Sequence, residues 1–221
     1  DALFHRAGEV FGADLLRRGV HVGAARLELG DDAEVRRVDL AEQVHIAALD
    51  AEVADGLKQR RRRREEDLQR LVDALRQTPT GFLADAMGGS GALDYRIKPA
   101  IAHQYAFCGV ALTCHAGPAD NLALVHALQH ILPGDVLMVA TDQFTACAVT
   151  GDLVLGMAKN CGAVGFVTDG CVRDLVGIEN VGLPAWSVGV TPNSPHRSGP
   201  GAIGFPIQLA GHRVCSGDVV V

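Results

Sequence analysis

Residues 150–174 read TGDLVLGMAKNCGAVGFVTDGCVRD and combine two regular elements in one short segment. We predict a helix over GDLVLGMAKN, because Gly162 stands where a glycine commonly ends a helix. The apolar run AVGFVTDG that follows it predicts a buried strand. A helix that leads directly into a buried strand is typical of α/β folds.

The same alternation of helix and strand continues on both sides of this segment, from Thr80 onward. The predicted elements are helices over 80–89 and 120–131, strands over 107–116, 136–141 and 183–190, and paired strands around turns over 205–221. This alternation predicts an α/β fold with a mixed sheet for a domain that we place at residues 66–221. Residues 1–65 differ in character, with a predicted hairpin flanked by helical stretches, and we assign them to an N-terminal α/β extension of unknown role.

The bulk composition limits the class of function. The chain of 221 residues has a net charge of −6, which argues against nucleic acid as the main partner. Its basic run, Arg60–Arg64, is followed at once by acidic residues and is interpreted as a solvated helix face. No apolar run approaches the ~18 residues of a membrane span, so we expect no membrane association. None of the six cysteines forms a CxxC pair, which predicts free thiols and a cytoplasmic location.

The candidate chemistry lies at the two ends of the opening segment, in Asp152, Arg173 and Asp174. Twenty residues separate Asp152 from Arg173. A nine-residue helix carries the chain about 14 Å away. A turn and a six-residue strand bring it back by about 20 Å. The start of the helix and the end of the strand can therefore lie side by side, with the three side chains in one cleft.

Each group in this cluster suits one part of a small 2-oxo acid. Backbone amides at the helix start, around Gly151, Asp152 and Leu153, can hold a carboxylate. Arg173 offers a fork of donors for a carboxylate or a developing enolate. Asp174 is the kind of oxygen ligand that Mg²⁺ or Mn²⁺ prefers, with water filling the other positions. A surface salt bridge between Arg173 and either aspartate, with Asp152 capping the helix, would explain the same residues, and spacing alone leaves both interpretations open.

Several motifs resemble those of the RraA-like family. TDGCVRD (168–174), together with Asp152, resembles the D-x20-R-D signature of that family. The other resembling segments occur in the family's order and extend the resemblance over roughly residues 67–221. They are PTGFLADAMGG (79–89), ADNLALVHALQHILPGDVLMVA (119–140) and GLPAWSVGVTPNSPHRSGPGAIGFPIQLAGHRVCSGDVVV (182–221).

The resemblance implies an activity, a fold and an assembly. The activity is that of a class II, metal-dependent aldolase for 4-hydroxy-4-methyl-2-oxoglutarate or 4-carboxy-4-hydroxy-2-oxoadipate. Such an enzyme releases pyruvate and a second oxo compound through a metal-stabilised pyruvate enolate, with oxaloacetate decarboxylation as a side activity. The implied fold is a layered α/β/β/α sandwich. The implied assembly is a homotrimer or hexamer with active sites at subunit interfaces, and Asn121 is then a substrate contact from a neighbouring subunit.

The family's functional residues have counterparts in this sequence. The resemblance implies that Asp174 contacts the metal, which is Mg²⁺ with Mn²⁺ as the alternative. It implies that Arg173 binds the oxo group of the substrate and stabilises the enolate. Asp152 would orient a water molecule that transfers the proton. The backbone amides of Gly151 and Leu153 would hold the carboxylate of the pyruvyl half.

Alternatives to this interpretation remain open. Members related to the ribonuclease E regulator act by protein–protein contact, so a non-catalytic regulator is one alternative, and a lyase for another oxo or hydroxy acid is a second. The intact Asp152, Arg173 and Asp174 favour the enzyme. Family members usually continue past GDVVV with a further strand and a helix that carries an acidic residue near the site. This sequence stops at Val221, and we therefore expect a truncated C-terminal end.

Other reactive side chains are interpreted mainly as structural. The histidine pair on the predicted helix 120–131 has i,i+4 spacing, but no acid or third ligand accompanies it. His196, with Arg197, either lines the mouth of the cleft and meets a second carboxylate or packs the loop. Cys147 and Cys171 flank the opening segment without a paired base, which favours core thiols over nucleophiles.

Overall fold

A computed structural model describes Glu66 and residues 68–221. The predicted extension over residues 1–65, with its hairpin and helices, lies outside the described residues. Val72–Val221 fall within one compact unit. In chain order its elements are α1 (Thr80–Ala86), β1 (Lys98–Pro99), β2 (Gly109–His115), α2 (Leu122–Ala127), a 3-10 turn (Leu128–His130), β3 (Asp135–Ala140), β4 (Ala148–Thr150), α3 (Asp152–Asn160), β5 (Gly165–Thr168), β6 (Cys171–Val172), α4 (Leu175–Val181), β7 (Ala185–Ser187), β8 (Gly189–Val190), β9 (Ala202–Ile203), β10 (Ile207–Leu209), β11 (His212–Val214) and β12 (Val219–Val220).

The larger sheet is mixed, as the sequence predicts. Its strand order is β1-β7-β5-β3-β2-β12, and β9 also pairs with β2. The central strands β2, β3, β5 and β7 are parallel, whereas β1, β9 and β12 pair antiparallel to their neighbours. Parallel neighbours need crossover connections, and the helices α2, α3 and α4 lie in those connections. The prediction of an α/β fold with a mixed sheet is confirmed.

The alternation of side chains along β3 divides the core into two layers. Leu137 and Val139 join the cluster that packs the sheet against the helices. Val136, Met138 and Ala140 point to the opposite face, where residues of the β10–β11 hairpin cover them. Successive side chains of a strand point to opposite faces, so a continuous apolar run indicates a strand that is buried on both sides. Among the described residues, no helix combines the length and the apolarity that crossing a membrane requires.

A second, smaller sheet carries the candidate site. Its three short strands, β4, β6 and β8, are parallel and lie in that order. Backbone hydrogen bonds continue just past the strand ends, from Arg173 N to Thr150 O (3.1 Å) and from Thr191 N to Val172 O (3.1 Å). The sequence did not predict this sheet. We expected the strand over AVGFVTDG to deliver Arg173 to the helix start, but β5 ends at Thr168 and the separate strand β6 delivers it.

Candidate functional site

The candidate site lies at the carboxyl ends of the three parallel strands of the smaller sheet. β4 leads into the start of α3, β6 leads into Arg173 and Asp174, and the chain after β8 leads to Ser194. In α/β proteins ligands commonly bind outside the carboxyl ends of parallel strands. The cleft between these ends has a volume of about 310 Å³. Its walls contain all the residues predicted as site residues: Asn121, Gly151, Asp152, Leu153, Arg173 and Asp174.

Gly151 allows the side chains of Arg173 and Asp174 to lie close to the start of α3. A Cβ atom at this position would lie 2.5 Å from Asp174 Oδ2, 3.1 Å from Arg173 Cγ and 3.4 Å from Arg173 Nε. Its φ of −144° and ψ of −166° are extended values that any residue can adopt, so the backbone does not require a glycine. The close approach of two charged side chains to the start of α3 requires one instead.

Asp174 adopts a backbone conformation that is uncommon for a residue with a side chain. Its φ of 62° and ψ of 47° place it in the left-handed region, immediately before α4. Aspartate tolerates this region better than most residues, yet the conformation still costs free energy relative to glycine. Such outliers cluster at functional sites, where the position of the side chain matters more than local stability.

Arg173 is held by two neighbours in the cleft. Its Nε lies 3.2 Å from Asp174 Oδ2, and its Nη1 donates a hydrogen bond to Ser194 Oγ. The salt bridge weighed in the sequence analysis is therefore present. The side chains of Arg173 and Asp174 are 35% and 48% exposed, however, and ion pairs this exposed contribute at most about 1 kcal/mol. Stability alone does not explain why Asp174, one member of this pair, has a left-handed backbone. Nor does it explain why the close-packed Gly151 lies beside both members.

Asp152 is the first residue of α3 and packs against α4. A Cβ atom at Gly177 would lie 2.5 Å from Asp152 Cβ, so the bare backbone of α4 makes room for this aspartate. Asp152 Oδ1 accepts a hydrogen bond of 2.7 Å from the Leu153 amide. From the sequence, we expected that amide to bind the carboxylate of a substrate. In the structure, the carboxylate of Asp152 already takes it.

Asn121 lines the cleft of its own chain. The structure brings it together with Gly151 and Arg173 of the same chain, and its expected contact with the substrate of a neighbouring subunit stays a prediction. Asn121 is only 3% exposed, and its Nδ2 donates to Val149 O at 3.1 Å. Its Oδ1 is buried without a hydrogen-bond partner. Buried acceptors are rarely left unpaired in proteins, so this atom offers an acceptor beside the cleft.

The oxygen ligands of the cleft fit a hard divalent cation. Among the described residues, no group of three or more His, Cys, Asp or Glu side chains is arranged to hold a metal ion, the histidines of α2 and its 3-10 turn included. The cleft nevertheless contains two carboxylates, Asp152 and Asp174. Mg²⁺ commonly binds through one or two carboxylates and keeps several water molecules. The donor set therefore suits Mg²⁺ or Mn²⁺ better than a metal that needs a complete cage of protein ligands.

The loop after β8 contributes residues that the sequence analysis did not assign. Ser194 and Pro195 line the cleft, although no role was predicted for either. Of the pair weighed for the mouth of the cleft, Arg197 lines it and His196 does not. The motif PNSPHRSGPG drew attention to this loop. Only the fold, however, shows which of its side chains face the site.

The two cysteines beside the site are core thiols. Cys147 and Cys171 are both buried. Burial raises the pKa of Cys147, and burial followed by the neighbouring Cys147 thiol raises the pKa of Cys171. A thiol must lose its proton to act as a nucleophile, so these environments oppose nucleophilic chemistry.

Comparison with known proteins identifies the family and agrees with the fold. Residues 51–221 match the family described as "RraA-like: Aldolase/RraA". The chain belongs to the RraA-like family. The match begins within the segment 1–65 that the sequence analysis assigned to an extension.

Individual relatives support the family membership. The chain is 34% identical, over 68% of its length, to a protein of Halalkalibacterium halodurans described as "Putative 4-hydroxy-4-methyl-2-oxoglutarate aldolase", and it covers 71% of that protein. It spans 57% to 60% of the length of further relatives with the same kind of description.

Solved structures share the RraA-like fold. The RNA-processing inhibitor RraA from Thermus thermophilis aligns with a TM-score of 0.59 and 24% identity, over 65% of this chain and 86% of that one. RraAS2 from Streptomyces coelicolor, described as an unusual member of the RNase ES inhibitor RraA protein family, aligns with a TM-score of 0.57 and 26% identity, over 68% and 79%.

Proposed function

We propose that this RraA-like protein is a carbon–carbon lyase of the aldolase type, which cleaves a 4-hydroxy-2-oxo acid to pyruvate and a second oxo compound. The proposed substrate class follows the description of its relatives, which are named for 4-hydroxy-4-methyl-2-oxoglutarate. We further propose dependence on Mg²⁺ or Mn²⁺, a secondary oxaloacetate decarboxylase activity, a homotrimeric or hexameric assembly and a cytoplasmic location.

One observation carries the proposal. The bare Cα of Gly151 lets the Asp174 carboxylate and the Arg173 side chain lie against the start of α3, where Asp152 also stands. An anion-binding guanidinium and two oxygen ligands thus converge on one cleft of about 310 Å³. That volume is at the small end of ordinary ligand pockets, which suits a small oxo acid.

The reaction assigns each side chain a task. Removal of the proton from the C4 hydroxyl allows the C3–C4 bond to break, and C4 leaves as a ketone. The electron pair of that bond moves through C3 to the oxo oxygen at C2, and C3 later takes up a proton to give pyruvate. Asp152 accepts the hydroxyl proton through an oriented water molecule, and Arg173 donates hydrogen bonds to the oxygen that becomes negative.

The metal and the backbone complete the proposed site. Asp174 would hold a divalent cation, which supplies Lewis acidity to the carbonyl group when bound. The amides at the start of α3 would bind the substrate carboxylate. The Leu153 amide then has to exchange its present acceptor, Asp152, for that carboxylate. Asn121 Oδ1, which is buried and unpaired in this structure, would accept a hydrogen bond from the substrate after a small rotation of its side chain.

Arg173 gives the sharpest single-residue test. One preorganised donor to a developing oxyanion is worth about 2.7–4 kcal/mol, which corresponds to about 10²–10³ in kcat. We expect Arg173→Ala to lose that factor. Arg173→Lys should also be poor, because a lysine cannot keep contact with Asp174 and Ser194 while it binds the oxo group.

The decisive experiment is a coupled assay of pyruvate release. It uses 4-hydroxy-4-methyl-2-oxoglutarate and oxaloacetate, each with added Mg²⁺ and with EDTA. We expect release with Mg²⁺, loss with EDTA and loss in the Arg173 and Asp174 alanine variants. Activity unaffected by EDTA would remove the metal from the proposal, and near-normal release by both variants would remove the site.

A regulatory role is the second candidate, because the fold is shared with RNA-processing inhibitors. It predicts no pyruvate release under any metal condition. It also predicts that Arg173→Ala behaves in this assay like any other surface substitution. The same assay therefore separates the two functions.

A further inference from the structure

The loop that carries Arg197 is fastened to the segment before α2. His196 N donates to Ala119 O at 2.7 Å, and Asn121 N donates to His196 O at 3.0 Å. The loop is 78 residues away from that segment in sequence. Both hydrogen bonds involve His196 and therefore hold the loop just before Arg197. To fix the loop on both sides of Arg197, a further contact is needed after it.

Asp120 supplies that further contact. Its Oδ2 accepts hydrogen bonds from Ser198 N (2.6 Å) and Gly199 N (3.1 Å), and its Oδ1 accepts one from Leu122 N (2.8 Å). Burial works to raise the pKa of Asp120, but the three backbone donors and nearby His196 outweigh it and hold that pKa below its usual value. The ionised carboxylate therefore clamps the loop immediately after Arg197.

This arrangement fixes the backbone of Arg197 but, among the described residues, gives its side chain no partner. Its backbone is held on either side, and its side chain lines the same cleft as Arg173. Within residues 68–221 the guanidinium has no ion pair and no hydrogen bond, unlike Arg173, which is held by Asp174 and Ser194. A fixed loop that presents an unpaired cation to a cleft is suited to binding an anion.

We propose that Arg197 binds the second anionic group of the substrate, a carboxylate at the end remote from the 2-oxo acid, and that Asp120 is the positioning residue that keeps Arg197 in the cleft. This inference rests on the proposed function, because it assumes that the Arg173 end takes the 2-oxo acid. Arg173 already contacts Asp174 through its Nε and Ser194 through its Nη1, and the proposed function assigns its remaining donors to the 2-oxo acid. A second carboxylate therefore needs a second guanidinium, and Arg197 is the one in the cleft.

A matched pair of ligands tests this directly, without turnover. 2-Oxoglutarate and 2-oxopentanoate have the same chain length, and only the first has a carboxylate at the remote end. Titration calorimetry with Mg²⁺ present should show tighter binding of 2-oxoglutarate to the unmodified chain. Arg197→Ala should weaken 2-oxoglutarate about 10- to 100-fold, the usual effect of losing a charged hydrogen bond, and change 2-oxopentanoate by less than about threefold. Arg213→Ala, an exposed position on β11, is the control and should change neither.

Asp120→Asn tests the positioning role. One oxygen remains to accept a hydrogen bond, so the fold should survive, which a thermal melt checks. We expect a reduced preference for 2-oxoglutarate although Arg197 is intact. With 4-hydroxy-4-methyl-2-oxoglutarate as substrate, both variants should raise KM far more than they lower kcat. An unchanged preference in Asp120→Asn would overturn the positioning role.

The results distinguish this inference from the proposed function. One outcome is that 2-oxopentanoate binds, that its binding depends on Arg173, and that the preference for 2-oxoglutarate survives in Arg197→Ala. The role of Arg197 is then wrong, and the proposed function stands. If Arg173→Ala leaves the binding of both ligands unchanged, or if neither ligand binds, the proposed function and this inference both fail.

Discussion

Replacing Gly151 by alanine adds one methyl group at the point where the candidate site is tightest. Asp174 Oδ2 lies 2.5 Å from the position of the new Cβ, and real Cβ atoms essentially never approach another atom within 3.0 Å. The carboxylate must therefore retreat by about 0.5 Å or more, and the Arg173 side chain, 3.1 Å away at Cγ, must shift with it. The backbone at this position accepts alanine without strain, so the perturbation is confined to the site.

The size of the effect follows from the displacement. A misplacement of about 1 Å can cost a reaction about 10²-fold. For Gly151→Ala we expect kcat/KM for pyruvate release to fall about 10- to 100-fold. The melting temperature should change by no more than about 3 °C, because restricting the unfolded chain stabilises the protein by about 0.4–1 kcal/mol and offsets part of the crowding.

Gly156→Ala is the matched control, since it makes the same change on the same helix. Its Cβ would meet Val181 Cγ2 at 3.6 Å, an ordinary contact. We expect unchanged activity and a gain of about 0.5–1 kcal/mol in the free energy of unfolding, as for other glycines inside helices. Steady-state kinetics and urea unfolding of both variants complete the test. Wild-type activity in Gly151→Ala would refute the idea that this close approach shapes the site.

Three further predictions concern single groups. Asp174→Gly should abolish activity. The free energy of unfolding should stay the same or rise by up to about 1 kcal/mol, because glycine removes the left-handed strain. The pyruvate assay and urea unfolding measure the two effects, and a clear loss of stability would contradict the idea of strain at Asp174. Burial raises the pKa of Asp135 against one hydrogen bond from Leu132 N. The raised pKa adds stability that is fully present below pH 3.8 and is lost as pH rises through the raised value, so Asp135→Asn should flatten the decline in unfolding free energy that begins above pH 3.8. Burial raises the pKa of Cys114 to about 12, whereas Cys161 is exposed; a disulfide reagent at pH 8 should label Cys161 in the folded protein and Cys114 only after unfolding, and fast labelling of Cys114 would show that its part of the core opens.

The central strands β2, β3 and β5 of the larger sheet were predictable because they are apolar runs with clear ends, whereas its edge strands β1 and β9, of two residues each, were not predicted. β2, β3 and β5 are each four to seven residues long and bounded by glycine, proline or helical segments. The glycine placed to end α3 does so, with a φ of 105° at Gly162. Strand and helix ends of this kind depend on neighbouring residues in the chain, so they can be predicted from a single sequence.

The smaller sheet and the details of the site were not predictable in the same way. β4, β6 and β8 have only two or three residues each, too few to show any periodicity. The helix α4 was also missed, although its Gly177 makes room for Asp152. The clamp by Asp120 joins segments that are far apart in the chain, and no local pattern announces it. The spacing of Asp152 and Arg173 did predict that they meet, for a reason that was only partly right.

The groups assigned to the two ends of the substrate lie on different strand ends of the smaller sheet, so each set can be replaced separately. β4 and β6 end in the groups assigned to bond cleavage, whereas the chain after β8 carries the group assigned to the remote end of the substrate. Connections at strand ends tolerate substitution far better than the strands themselves. A library randomised over residues 195–197, with Ser194 kept because it holds Arg173, is therefore a route to enzymes with new substrate ranges, since the reacting end of the cleft stays intact while the remote end is redesigned.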